Sequence, residues 1–280
     1  MPLDTGFPGS DARDDFSRAR RRRAIASLAA RLRREPGDVE HVLPFEEVVE
    51  ALGRVSERSL GLRTIPLDSI VGTVGRTTEF DRSFRPTSNR TRQRWERIAD
   101  AQRRGEAMPP ISVYRIGDLH FVRDGHHRVS VARAQGRTDI DAYVTEVTTR
   151  VGIDPGMSVH DLPLKGHERL FRERVPLSDT EFAEVRLSDP WRYGALAEGV
   201  EAWGFRLAQG TRELLSRDEV AHAWLHDEFR PVVAMLREAD LIGKGTDADA
   251  YVRVAGERYR LMRTHEWSDE VIDRLRRELS

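Results

Sequence analysis

The chain has 280 residues, 39% of them apolar and 33% charged, a balance that permits a sizeable core beneath a very wet surface. No run of eighteen apolar residues occurs, which argues against a membrane protein, and the total lack of cysteine removes disulfides, thiolate metal sites and thiol catalysis together. Forty-six basic and 47 acidic residues leave a net charge of -1, so the whole chain is no polycation, yet only Lys165 and Lys244 are lysine and every other basic residue is arginine.

Arginine holds planar anions through two parallel hydrogen bonds, although a GC-rich coding bias yields the same composition and is the plainer explanation. In chain order, residues 1–15 mix Gly, Pro and Asp with no apolar period and read as a flexible tail. A basic helical segment is expected over 16–60. Its first part, 16–34, holds eight arginines and no acid, with Ile25, Leu28, Ala29 and Leu32 at helical spacing. Arg20, Arg21, Arg22 and Arg23 are its candidate nucleic-acid contacts. Glu35-Pro36-Gly37 reads as its stop. A second helix is expected over 45–52, closed by Gly53.

Residues 61–148 read as a small α/β domain: a strand over 65–71, a turn over 72–76, and an arginine-rich helix over 89–104 around Trp95. A strand follows over 111–116, then a Gly117-Asp118 turn, a return strand over 119–122, a helix over 127–135 closed by Gly136, and a strand over 140–147. Residues 149–178 read as a linker. A helical C-terminal domain is expected over 179–280, because Ser178 to Glu181 and Ser216 to Glu219 are capping boxes ahead of apolar residues. The fold class is therefore α/β (α+β), a small mixed-sheet domain followed by an all-helical module. With no charged-then-apolar leader and cleavage site at its start, a cytoplasmic protein is expected.

The chemistry concentrates where a strand runs through Asp124 and Gly125 into the helix that begins with His126, His127 and Arg128. Unpaired N–H groups at a helix start attract anions. Gly125 allows close backbone approach. Arg128 can clamp a phosphate with two bonds, and the two histidines can donate to oxyanions and gain charge below about pH 6.5. This describes a phosphate cradle. In the plainer alternative, one histidine caps the helix and Asp124 only forms the turn.

The order of these features resembles the N-terminal ParB-like domain of the ParB/sulfiredoxin fold: Ile65-Pro66-Leu67, then Arg76 with Phe80-Asp81, the helix around Trp95, Pro110-Ile111-Ser112-Val113, and the box Gly125-His126-His127-Arg128. The resemblance covers about 85 residues. It implies that Gly125, His126, His127 and Arg128 sit at a nucleotide-phosphate site, with Arg76 approaching from the first loop; Asp124, beside them in that site, reads as a metal or proton partner or as a turn former. The nucleotide would be CTP, as in partition proteins, or ATP or ADP; the Asp-Gly-His-His-Arg form resembles more closely the free serine kinases, which move phosphate from a nucleotide to serine. Mg²⁺ is expected beside the phosphates. A phosphotransferase of that branch needs a carboxylate as general base, for which Glu79 and Asp81 are the candidates; the plainer reading makes both partners of nearby arginines. Sulfiredoxin activity is excluded by the missing cysteine.

Two other functions compete. One is a non-catalytic ParB-like, DNA-associated protein whose nucleotide gates clamping or homodimer formation, with non-specific DNA contact through the arginine blocks. The other is a metal-dependent nuclease, although no protein metal site is expected. His222 and His226 lie four apart but read as a surface or half-buried pair, and Trp267 as a packing anchor. No clear helix-turn-helix follows the α/β domain.

Overall fold

A computed structural model describes residues 5–32, 42–211 and 214–279. The fold is mixed α/β, and the chain divides into two compact units, Met1–Pro163 and Leu164–Ser280. The Glu35-Pro36-Gly37 stop lies outside the described residues. Among the described residues, no helix is long and apolar enough to cross a membrane.

The first unit is built on six strands: β1 (Leu43–Pro44), β2 (Arg54–Pro66), β3 (Ile70–Thr73), β4 (Ile111–Ile116), β5 (Leu119–Asp124) and β6 (Asp139–Thr149). They form one mixed sheet in the order β1-β3-β5-β4-β6-β2. The β4–β5 hairpin and the β2–β6 pair are antiparallel, and the other neighbours are parallel. Side chains alternate across the pleat. Val122 therefore enters the core on one face and Phe121 the core on the other. The Phe121 face is covered by α2 (Phe45–Leu52), through Phe45, Val48, Val49 and Leu52. The Val122 face is covered by α4 (His126–Ala134), through Val129 and Ala132. Gly72 has to be glycine, because a Cβ there would come within 2.0 Å of the Phe121 ring.

A further layer lies outside α4. There α1 (Pro8–Leu32) and α3 (Arg92–Arg103) pack with Val131 through Ala12, Phe16, Trp95 and Ala99. Phe16 meets Trp95 edge-on at 5.5 Å, and the indole N–H of Trp95 donates to Ser130 Oγ at 2.8 Å.

Several sequence expectations are corrected here. The strand expected over 65–71 is the end of β2, a turn over Leu67–Ser69 and the start of β3, and residues 54–60, expected in the helical segment, belong to β2, which pairs with β6. Residues 8–15 are helical and part of α1. Their buried positions, Asp11, Ala12, Asp15 and Phe16, follow helical spacing, but two are carboxylates and so show no apolar period. They are held from within, Asp11 by Thr5 and Asp15 by Arg103. Conversely, Ile25 and Leu28, expected on the packed side, are 69% and 60% exposed; only the first half of α1 meets Trp95. Finally, the expected linker contains α5 (Leu162–Arg174), led by a capping box from Ser158 to Asp161. Pro163 sits in its first turn, where its missing N–H costs nothing.

The second unit is helical. After α5 come α6 (Asp179–Glu184), α7 (Tyr193–Thr211), α8 (Arg217–Trp224), α9 (Arg230–Glu238), α10 (Asp247–Met262) and α11 (Asp269–Leu279). Both expected capping boxes form, at Ser178 and Ser216. Trp224, Phe229 and Tyr251 anchor its core. Pro231 does not break the helical path: a π turn over Leu225–Phe229 joins α8 to α9, and the proline falls in the first turn of α9.

Candidate functional site

Strand β5 ends at Asp124, and Gly125 turns the chain into α4 with φ 101°. A Cβ at Gly125 would come within 2.4 Å of Ile111 Cγ2, so the turn demands glycine twice over, by conformation and by space. The backbone N–H groups of His126, His127 and Arg128 lie in the first helical turn, where no helical carbonyl can accept from them. The same residues border a hollow of about 120 Å³ lined by Arg76, Arg94, Ile98, Arg123 and the stretch 124–128.

The side chains of the box are engaged with the protein. Arg128 donates to the carbonyls of Pro109 and Pro110, the latter at 2.9 Å, and to Asp124 Oδ2 at 2.7 Å. These bonds anchor the side chain expected as the phosphate clamp, and it also lines the hollow. Asp124 is paired to it yet keeps its side chain 70% exposed.

Both histidines are buried, at 4% and 6% exposure. His126 Nε2 shares a hydrogen bond with Thr73 Oγ1 at 2.6 Å, and its ring stacks on Phe80. Phe80 also meets the His127 ring edge-on at 5.3 Å, and His127 Nδ1 is buried without a partner. Burial, followed by the field of Arg76 for His126 and of Arg94 for His127, pushes both rings down to about 4. Near neutral pH they are uncharged, so they bring no cation to the cradle.

The two candidate bases part company. Asp81 is 4% exposed and accepts from the backbone N–H groups of Ser83 and Arg85 and from Arg85 Nε, at 3.0, 2.8 and 2.8 Å. It holds the turn over 81–85 together and is not the free carboxylate that proton abstraction requires. Glu79 is only part-buried and pairs with Arg76 at 3.1 Å.

Arg94, on the outer side of α3, and Arg123, next to the end of β5, were not singled out by the sequence. Both are exposed, line the hollow and pair with no carboxylate among the described residues. Arg123 rests over the Tyr114 ring, 5.9 Å from its centroid. The signal that would have found Arg123 is strand alternation, which turns it away from the core side of Val122; Arg94 needed the placement of α3.

The arginine blocks are largely spoken for. Arg20 donates to the carbonyls of Pro86 and Thr87, and Arg23 is half-buried, whereas Arg21 and Arg22 are exposed. In the second block Arg85, Arg92, Arg103 and Arg104 form ion pairs with Asp81, Glu96, Asp15 and Asp100. In the second unit, His222 faces Glu181 and Asp218 while His226 meets Arg230, so the two rings serve different partners. Among the described residues, no group of three or more His, Asp or Glu side chains is gathered around a common point. In comparison with known proteins, no family model matches the chain and no curated protein matches it.

Proposed function

We propose that this is a ParB-like protein that binds a nucleoside di- or triphosphate (CTP, ATP or ADP) with a phosphate seated in the hollow at the start of α4. The observation that carries the reading is that Arg94 and Arg123, which pair with no carboxylate among the described residues, line the same hollow as the residues of the first turn of α4. Oriented N–H groups and guanidinium forks together are a strong oxyanion binder. A hollow of about 120 Å³ takes a phosphate rather than a whole nucleotide, so base and ribose would lie along the surface beyond it.

Mg²⁺ uses one or two carboxylates besides phosphate oxygens and water. Asp124, exposed at the rim, fits that need and would hold an ion arriving with the nucleotide; the ion would offset phosphate charge. Cytoplasmic nucleotide pools are the expected source. Should the nucleotide be turned over on a small hydroxyl acceptor, Glu79 is the carboxylate left to take the proton, and Arg76 would hold it in place.

The test is a thermal-shift panel of CTP, ATP and ADP with Mg²⁺. At least one nucleotide should raise the melting temperature, and Arg94→Ala together with Arg123→Ala should abolish the rise with little change in the baseline. No shift with any of the three at about millimolar concentration, well above a useful affinity, removes the reading. Phosphotransfer adds a second requirement: nucleotide consumption must depend on an added acceptor and fall with Glu79→Gln.

The exposed Arg21 and Arg22 favour a second reading, a DNA-associated protein whose nucleotide gates clamping as a homodimer. It requires retention on duplex DNA that weakens steeply with salt and drops with Arg21→Ala and Arg22→Ala.

A further inference from the structure

The hollow is not the largest cavity of the first unit. A cavity of about 430 Å³ lies at the other end of α4, between its last turns, the first half of α1, the Leu67–Ser69 turn and the loop over 83–85. That volume falls in the range of small-molecule sites. No residue lines both spaces.

Its walls carry five arginines, Arg18, Arg22, Arg85, Arg133 and Arg137, against two carboxylates, Asp15 and Asp68. Asp15 is shared by Arg18 and by Arg103, which comes from outside the cavity, and Arg85 is answered by Asp81 from outside as well. Arg133 is fixed by the carbonyls of Leu67 and Ile70, with its guanidinium 5.4 Å from the Phe84 ring centroid. That leaves Arg22 and Arg137, both exposed and both without a carboxylate partner among the described residues. Asp68, the second carboxylate, acts on Arg133 through its field, so the two exposed cations leave the wall with positive charge in excess. Unbalanced positive charge around a concave space focuses the field onto it and raises the local concentration of anions, and guanidinium forks match planar or tetrahedral oxyanions.

We infer that this cavity is a second, separate binding site that takes a small polyanion bearing two or more oxyanion groups, and that Arg22 and Arg137 are its ligand contacts. The site is independent of the nucleotide reading at the start of α4.

The test uses the full chain carrying Arg94→Ala and Arg123→Ala, so that the hollow is already disabled, at about 0.15 M salt, where surface charge is screened beyond about 8 Å. Titration calorimetry and thermal melting with inorganic pyrophosphate should report one anion per chain. Adding Arg22→Ala and Arg137→Ala should weaken it at least about tenfold, since two charge-assisted contacts are lost. Both residues are exposed and unpaired, so these variants should fold, as circular dichroism will verify. Citrate in parallel distinguishes the source: tighter binding than pyrophosphate assigns carboxylates to the ligand, weaker binding assigns phosphates, and either supports the site. Neither heat nor a melting shift with both anions, or an affinity indifferent to Arg22 and Arg137, overturns the inference. So does retention of duplex DNA without binding of either small anion, which would give Arg22 to a nucleic-acid surface. Because the hollow has been removed beforehand, none of these failures touches the nucleotide proposal.

Discussion

Replacing Arg128 removes more than a positive charge. Its guanidinium serves the carbonyl of Pro109 at the surface and that of Pro110 at a part-buried place, and without it both acceptors lose that partner. Arg128→Ala is expected to cost about 2 kcal/mol of stability, read as a lower urea midpoint at unchanged slope. Arg94→Ala should stay within about 0.5 kcal/mol of the parent, as exposed residues without an ion pair do, and Arg123→Ala within about 1 kcal/mol, since it also loses its contact with the Tyr114 ring. If the three variants unfold alike, Arg128 has no structural role. A loss of nucleotide binding on Arg128→Ala alone would therefore not identify a phosphate contact.

The buried histidines give stability a pH dependence with a definite sign. His120, His126 and His127 are each lowered from 6.5 to about 4, mainly by burial. Between those values the unfolded chain binds protons that the folded one refuses, so stability rises with pH. It is full above pH 6.5 and is lost as pH falls toward 4. Each ring accounts for up to about 3 kcal/mol at the acid end, a large share of the 5–15 kcal/mol of about any domain. Urea midpoints should drop clearly from pH 7 to pH 5; equal midpoints would mean that the rings accept protons in the folded state.

At the scale of elements, α1 is a docked helix, held by Phe16 in the apolar cluster, by Asp15 to Arg103 and by Arg20 to the carbonyls of Pro86 and Thr87. Phe16 is 2% exposed against Trp95. Phe16→Ala should cost about 3 kcal/mol and release α1, exposing its amides to hydrogen exchange ahead of the sheet; unchanged exchange in α1 would show that the ion pairs of Asp11 and Asp15 suffice. How well an element can be read from sequence follows from what stabilises it. Helix α2 and strand β4 occur over the expected residues because their apolar spacing matches their own period. Strand β2 gave no such signal: nearly all of it is exposed, and it exists through pairing with β6, including two register shifts. An edge strand held by backbone bonds to a distant partner leaves no side-chain pattern to read.

For the whole molecule, the apolar clusters do not mix across the division of the chain. One runs from Phe171 to Leu275 in the second unit, and three lie between Ala12 and Leu162 in the first. A unit with its own core can fold alone. Residues 1–163 and 164–280, expressed separately, should each unfold cooperatively by circular dichroism, and a non-cooperative transition in either piece would show that its core is incomplete.

The sequence by itself determined the mixed α/β class, the glycine turn from β5 into α4, the capping boxes at Ser178 and Ser216, and the helical second unit. Each depends on residues a few positions apart, whose geometry is local. It also supplied the whole stock of arginines and carboxylates. Which of them remain available was decided only in three dimensions. Arg128 was claimed by the carbonyls of Pro109 and Pro110, Asp81 by its own turn, and Asp15 by Arg103, while Arg94 and Arg123 were left over a hollow and Arg22 and Arg137 over a cavity. The reason is physical: a charge becomes functional through the partners it lacks, and those partners are brought near, or kept away, by contacts between residues far apart in the chain.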